Sequence, residues 1–296
     1  MASMRDIKRR KESVTSTSQI TKAMKLVATV KLQKSKSRAE QAKPYFNVMY
    51  STVTNMLAQS AKLDHPLLKP LAEGTKPKRG VVLISSNRGL AGGYNSNIVK
   101  TVTKGDFSTE DTVVYPVGKK GREALKRAGF TCLGDYDETI NDPLFDDAIK
   151  ISNKLFEDYE KGEINEIYLA YTSFKNTVKH VPTLVKLLPI VPEDIVQKDK
   201  EQKEESNGDP LTLMNYEPTE EEALDTILPL YVNSIIFGAL VESVASENGA
   251  RMQAMDSATS NAEEMIDKLG LQYNRARQSS ITQELTEIVA GASAID

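Results

Sequence analysis

"VTSTSQITKAMKLVATVKL", residues 14–32, contains no glycine, no proline and no acid, and it spaces its apolar and small residues by threes and fours. The spacing runs through Val14, Thr17, Thr21, Met24 and Ala28, steps by four to Leu32, and resumes through Ser35, Ala39, Ala42, Phe46, Met49, Val53 and Met56. A stripe of this kind is the seam of a coiled coil with one register slip. Pro44 falls inside it and is expected to kink or interrupt the helix. Small and polar residues fill half of the seam, so it is too weak for a dimerising zipper. It calls for a partner within the same chain.

The other end of the sequence supplies one. No proline follows Pro229, and a second seam runs through Met252, Met255, Thr259, Ala262, Ile266, Leu269, Tyr273 and Ala276 before slipping to Ile281, Leu285, Ile288 and Ala292. At 1.5 Å per residue such a helix is on the order of 100 Å long. Two helices of this length at opposite ends of a chain, joined by a folded middle, most simply form an antiparallel pair.

The middle alternates strands and helices. "GVVLI" (80–84), "TVVYPV" (112–117) and "EIYLAY" (166–171) read as strands. "KKGREALKRAG" (119–129) and "DPLFDDAIKISNKLFEDYEKG" (142–162) have helical spacing, with Gly129 and Gly162 as stops. "VKHVPTLVKLLPI" (178–190) completes the sheet. The expected fold is α/β: a long antiparallel coiled coil of the terminal helices with a Rossmann-like α/β domain inserted between them. The segments are 1–73 for the first helix, 74–195 for the α/β domain, 196–218 for an acidic linker and 219–296 for the last helix.

Composition bounds the function. The 296 residues carry a formal charge of −3, no secretory signal stands at the start, and no run approaches the ~20 apolar residues that span a bilayer. Cys132 is the single cysteine, which rules out an internal disulfide and makes a reducing compartment the expectation. Charge is uneven: residues 1–43 hold twelve Lys or Arg against three acids, and residues 193–225 hold twelve acids against three lysines. The basic helix suits nucleic-acid phosphates, an anionic membrane or an acidic protein. Its aromatics, Tyr45, Phe46 and Tyr50, lie far from the densest cations, which disfavours stacking-assisted binding of single strands. Acidic protein is the preferred reading.

The candidate chemical sites are weak. "SSNRGLAGGYNSN" (85–97) follows a strand like a phosphate loop, but Gly89, Gly92 and Gly93 fit neither G-x-x-x-x-G-K-[ST] nor G-x-G-x-x-G. "GKKG" (118–121) matches a KH-type G-x-x-G in letters yet follows a strand. "GDYDET" and "LFDDA" gather carboxylates without histidine or thiol, and the two histidines, His65 and His180, offer no triad or metal cluster. No nucleophile with a base partner emerges, so no catalytic residue, cofactor or metal is expected.

"ITQELTEIVAGASA" (281–294) resembles the signature of the gamma subunit of F-type ATP synthase. "RDIKRRKESVTSTSQITKAMKLVATVKL" (5–32), "SSNRGLAGGYN" (85–95), "YEPTEEEALDTILPLYV" (216–232) and "ENGARMQAM" (247–255) resemble that family's first helix, glycine loop and last helix. The glycine loop departs from the family at Asn87 and Ala91, where Asp and Cys are more frequent. The resemblance implies a rotating shaft within a ring of three α and three β subunits, with the α/β domain bound to the ε subunit and to the membrane rotor ring of c subunits. Catalysis then belongs to the ring, and no nucleic acid or membrane insertion is involved. The family's contacts map onto Met24 and Arg251, and onto Arg277, Gln278, Thr282 and Glu284 near the tip. Arg88 and Ala91 are placed within reach of an acidic lever loop of β, and Lys8, Arg9 and Arg10 face the same acidic partners. The chloroplast form's regulatory cysteine pair is missing. No organellar presequence precedes "MRDIKRR", so the cytoplasmic face of a bacterial membrane is the expected location. The runner-up reading is a basic coiled-coil protein that binds nucleic acid; a nucleotide-dependent oxidoreductase is third.

Overall fold

The computed structural model describes residues 4–59, 65–71, 74, 76–191 and 219–293. The acidic linker expected over 196–218 lies outside them. The elements are α1 (Met4–Gln59), β1 (Arg79–Ile84), α2 (Tyr94–Thr103), β2 (Thr112–Val117), α3 (Lys119–Arg127), β3 (Thr131–Cys132), α4 (Phe145–Glu160), β4 (Glu166–Phe174), β5 (His180–Leu188) and α5 (Glu220–Ser293). They group into two compact units, Met1–Thr29 with Arg251–Asp296 and Val30–Ala250. Both long helices contribute to both units, and α1 ends at Gln59, short of residue 73.

The larger unit is built on a five-stranded sheet of order β3-β2-β1-β4-β5. β1 pairs in parallel with β2 and β4, β2 with β3, and β5 closes the edge antiparallel to β4. Alternation along β1 sorts the core, as the two-residue strand period requires. Val81 and Leu83 pack with Ile98, Val102 and Leu125 of α2 and α3. Val82 and Ile84 face the other way, onto Ile151 and Leu155 of α4, Val53 and Met56 of α1, and Leu228, Val232, Ile236 and Leu240 of α5. This core therefore draws on both terminal helices as well as on residues 74–195. It also accounts for the most apolar part of α5, an 18-residue window of mean hydropathy 1.7 that is 61% buried within the chain.

Pro44 does not interrupt α1. Its loss of one backbone hydrogen bond is offset by packing of the turn that follows. Phe46 meets Phe237 at 6.1 Å, and Tyr45 and Phe237 both meet Phe145 edge-on, at 6.4 and 5.6 Å.

In the smaller unit, α1 and α5 form an antiparallel pair. Thr21 and Thr259 share a buried hydroxyl–hydroxyl hydrogen bond of 2.7 Å, Lys25 Nζ reaches Asp256 at 2.5 Å, and the Lys11 ammonium lies against Gly270. Numbers rise on one helix as they fall on the other. The seam differs from expectation at two places. Ser18 is buried while Thr17 is exposed; with a small hydroxyl residue at both positions, hydrophobicity could not choose between them. On α5, Met255, Thr259, Ala262 and Leu269 are buried as expected, but Ile281, Leu285 and Ile288 are 50%, 58% and 67% exposed. Since Lys11 is level with Gly270, the first turn of α1 is level with about residue 277, and beyond it no described residue of α1 lies alongside α5. Ile281, Leu285 and Ile288 form an exposed apolar stripe.

Candidate functional site

The glycine stretch sits where an open α/β sheet would hold a ligand, at the carboxyl ends of β1 and β4, on either side of which the strand order diverges. Its polar groups are spent on the protein itself. Ser86 N–H donates to Asn95 Oδ1 at 3.0 Å, and Asn95 Nδ2 donates to Ser86 Oγ at 2.7 Å. Asn87 Nδ2 donates to Asp137 O at 2.6 Å and its Oδ1 accepts from Lys119 N at 3.0 Å.

The crevice itself is filled by α5. Tyr94 Oη donates to Ser243 O at 3.2 Å, Ser246 Oγ donates to Thr172 O at 3.0 Å, and Thr172 N–H reaches Ser243 Oγ at 3.4 Å. Ser243, Ala245 and Ser246 are buried there, and their small side chains let the helix lie against the strand ends. A nucleotide at this position would have to displace the helix. The "GKKG" turn is also explained by close approach. A Cβ on Gly118 would lie 2.3 Å from Ser85 O, and one on Gly121 2.5 Å from Leu83 Cδ2.

The carboxylates of "GDYDET" and "LFDDA" do come together, since Asp135, Asp137, Glu138 and Asp147 line one cleft with Lys119 and Lys150. Each has a structural partner or faces solvent. Arg122 pairs with Asp135 at 3.0 Å and with Asp137, and Asp147 Oδ2 caps α4 by accepting from Leu144 N at 3.1 Å. Burial pushes the Asp137 carboxyl above the usual range, against the pull of Arg122, whereas the backbone N–H of Asp137 holds exposed Asp135 below it. A groove of about 540 Å³ beside β5 is lined by Phe46, Tyr50, Tyr171, Tyr231, Lys186 and Glu242 among others.

The histidines serve packing. His65 Nδ1 accepts from Leu67 N at 3.1 Å, which leaves Nε2–H to donate to Asp225 at 2.9 Å and ties the exit of α1 to α5. His180 lies against α5 so closely that a Cβ on Gly249 would be 2.5 Å from its Nε2. Burial lowers its pKa.

The remaining candidates lie on the helical pair and on the loop. Met24 and Arg251 are both half-buried. The Lys25–Asp256 contact puts Met24 level with about residue 257, so Arg251 lies about 9 Å further along the axis. Lys8, Arg9, Arg10, Arg277, Gln278, Thr282 and Glu284 are exposed. The antiparallel register brings Arg277 level with the start of α1, so cations of both helices collect around one end of the pair, which the sequence does not display. Arg88 is exposed, but Ala91 is 2% exposed and turned into the domain. The exposed apolar residue of the loop is Leu90, at 63%, which sequence reasoning passed over.

These observations define a helical-pair scaffold carrying an α/β domain whose ligand crevice is occupied by its own last helix. A family model described as ATP synthase matches residues 3–295. The ATP synthase gamma chain of Lachnoclostridium phytofermentans is 62% identical over the full length of both chains. The sodium-ion-specific gamma chain of Acetobacterium woodii is 40% identical, covering 99% of each. Among solved structures, a chain of the central stalk and c-ring of the Tetrahymena thermophila mitochondrial ATP synthase aligns at TM-score 0.57 and 26% identity, over 81% of this chain and 99% of that one. A Euglena gracilis mitochondrial ATP synthase chain shares the fold, with TM-score 0.67 and 19% identity over 99% and 94%. The chain belongs to the ATP synthase gamma chain family, as a subunit of that complex peripheral to its membrane part.

Proposed function

We propose that this chain is the central rotor shaft of an F-type ATP synthase, coupling ion-driven rotation of a membrane ring to ATP synthesis or hydrolysis in a surrounding ring of three α and three β subunits. In this reading the α/β domain binds the ε subunit and the c-ring on the cytoplasmic face of a bacterial membrane, and catalysis stays in the α/β ring. The observation that carries it is the antiparallel pair of small and hydroxyl residues whose last helix continues past its partner as an exposed apolar stripe. A shaft that meets three partners in turn needs a surface without deep, partner-specific knobs. Met24, Arg251, Arg277, Gln278, Thr282, Glu284, Arg88, Lys8, Arg9 and Arg10 are its ring contacts. Its asymmetric face biases each catalytic site toward a different state.

The test is reconstitution with α and β subunits immobilised on a surface and a bead attached to the α/β domain. Stepwise rotation on adding ATP is expected. A complex that hydrolyses ATP at full speed with a stationary domain would sink the reading.

A further inference from the structure

Glu242, Ser246 and Gly249, spaced by four and three, form with Ser243 one face of α5, and this face clasps the turn end of the β4–β5 hairpin. Phe174 N–H donates to Glu242 Oε2 at 3.3 Å and Thr172 N–H to Ser243 Oγ at 3.4 Å, and Ser246 Oγ donates to Thr172 O at 3.0 Å. The contact at Gly249 differs in kind. His180 is paired with Phe174 across the hairpin, the two rings 6.0 Å apart, and it approaches α5 so closely that a Cβ on Gly249 would lie 2.5 Å from Nε2. That nitrogen is buried and has no hydrogen-bond partner. The elements around it carry charge in Glu242, Glu247 and Arg251 on α5, in Lys175 and Lys179 at the hairpin turn and in Lys100 on α2, and none of these reaches Nε2. A neutral imidazole fits there. A protonated one would bury a charged N–H without an acceptor, which is costly. Histidine is also the side chain whose charge changes near neutral pH, and burial holds this one below its ordinary 6.5.

We propose that His180 is an acid-sensitive latch, whose protonation frees the turn end of the β4–β5 hairpin from α5 while the rest of the sheet stays folded. The neutral form holds the clasp above about pH 6.5, and the clasp weakens as pH falls through the folded value. Below that value the opening constant rises by up to about tenfold per pH unit, the limit for uptake of one proton. Opening breaks the bonds of Thr172 and Phe174 to α5, so it loosens the grip of the strand ends on the last helix. The device is independent of the rotor reading.

The experiment is native-state hydrogen exchange of the full chain between about pH 5 and 8, corrected for the intrinsic pH dependence of amide exchange, on the wild type, His180→Gln, His180→Phe and Glu242→Gln. In the wild type the amides of Thr172, Phe174 and their neighbours lose protection on acidification, while those of β1 keep theirs. Both His180 variants lack this pH dependence, and Glu242→Gln retains it. The midpoint of the loss coincides with the titration of the His180 imidazole followed by NMR, its signals told from those of His65, the other histidine of the chain, by a His65→Gln variant. Flat protection across the range overturns the proposal, as does an equal loss in β1, which is global unfolding. So does acid sensitivity that survives in the His180 variants or vanishes in Glu242→Gln. Should the His180 variants fail to fold, a midpoint that differs from the imidazole titration in the wild type overturns it alone.

Discussion

Gly118→Ala should unfold the α/β domain at a markedly lower temperature, and the size of the effect follows from three terms. Gly118 has φ +95° and ψ 141°, a region nearly closed to other residues, so an alanine there is strained by ~1–3 kcal/mol. Its Cβ would lie 2.3 Å from Ser85 O and 2.8 Å from Ser85 C, both backbone atoms that no side-chain rotation can move. Relieving that clash separates the end of β1 from the β2–α3 turn. It thereby stretches the bonds from Ser85 Oγ to Gly118 O at 3.1 Å, from Gly121 N to Ser85 Oγ at 2.8 Å and from Lys120 N to Ser86 O at 3.0 Å. Losing two of these at ~0.5–1.5 kcal/mol each adds ~1–3 kcal/mol. The total is about 4 kcal/mol, which for a unit of this size lowers Tm by on the order of 10 °C. Near-ultraviolet circular dichroism of buried tyrosines such as Tyr115 follows the domain rather than the long helices. Gly89→Ala is the control, with no atom within 4 Å of its Cβ, and should change Tm by no more than about 2 °C. If Gly118→Ala melted with the control, the close approach of the two turns would not be what requires glycine. A ligand role for "GKKG" would then have to be reconsidered.

Three other perturbations follow from the same structure. His180 is held below its ordinary pKa of 6.5 by burial, so its contribution to stability is complete above about pH 6.5 and is lost as pH falls toward the folded value. Urea unfolding across pH 5–8 should show that loss, and His180→Gln should lack it; identical acid limbs would refute the assignment. Thr21→Val and Thr259→Val should show a coupling of ~0.5–1 kcal/mol in a double-mutant cycle. Each hydroxyl has one proton, so the one that donates across the seam gives up its own-helix acceptor, Ser18 O at 3.0 Å for Thr21 or Met255 O at 2.8 Å for Thr259. Additive effects would mean that the cross-helix bond contributes nothing. Reversing Lys8, Arg9 and Arg10 to Glu should weaken association with the α/β ring, by ~0.2–1 kcal/mol for each exposed pair. The effect should diminish with added salt, and salt-independent, wild-type assembly would count against acidic partners.

The sequence by itself determined the two terminal helices, four of the five strands and the family, and missed β3, whose two residues are too short to show a period. Long proline-poor segments with three-and-four spacing, short β-branched runs and extended motifs in order are local signals, set by the backbone periods of helix and strand. It also placed the helix stops after α3 and α4. Where two small hydroxyl residues competed for one seam position, as at Thr17 and Ser18, that signal was silent, because burial there depends on the facing helix. Only the tertiary structure decided three further things. The register of α1 against α5 is fixed by side chains more than two hundred residues apart, and it shows both that cations of the two helices share one end and that Ile281, Leu285 and Ile288 are exposed. The packing of α5 into the strand ends, with Ser243 and Ser246 against Thr172, decides what fills the ligand crevice. The path of the glycine loop turns Ala91 inward and Leu90 outward, a choice made by dihedral angles and distant hydrogen-bond partners that no single stretch of letters encodes.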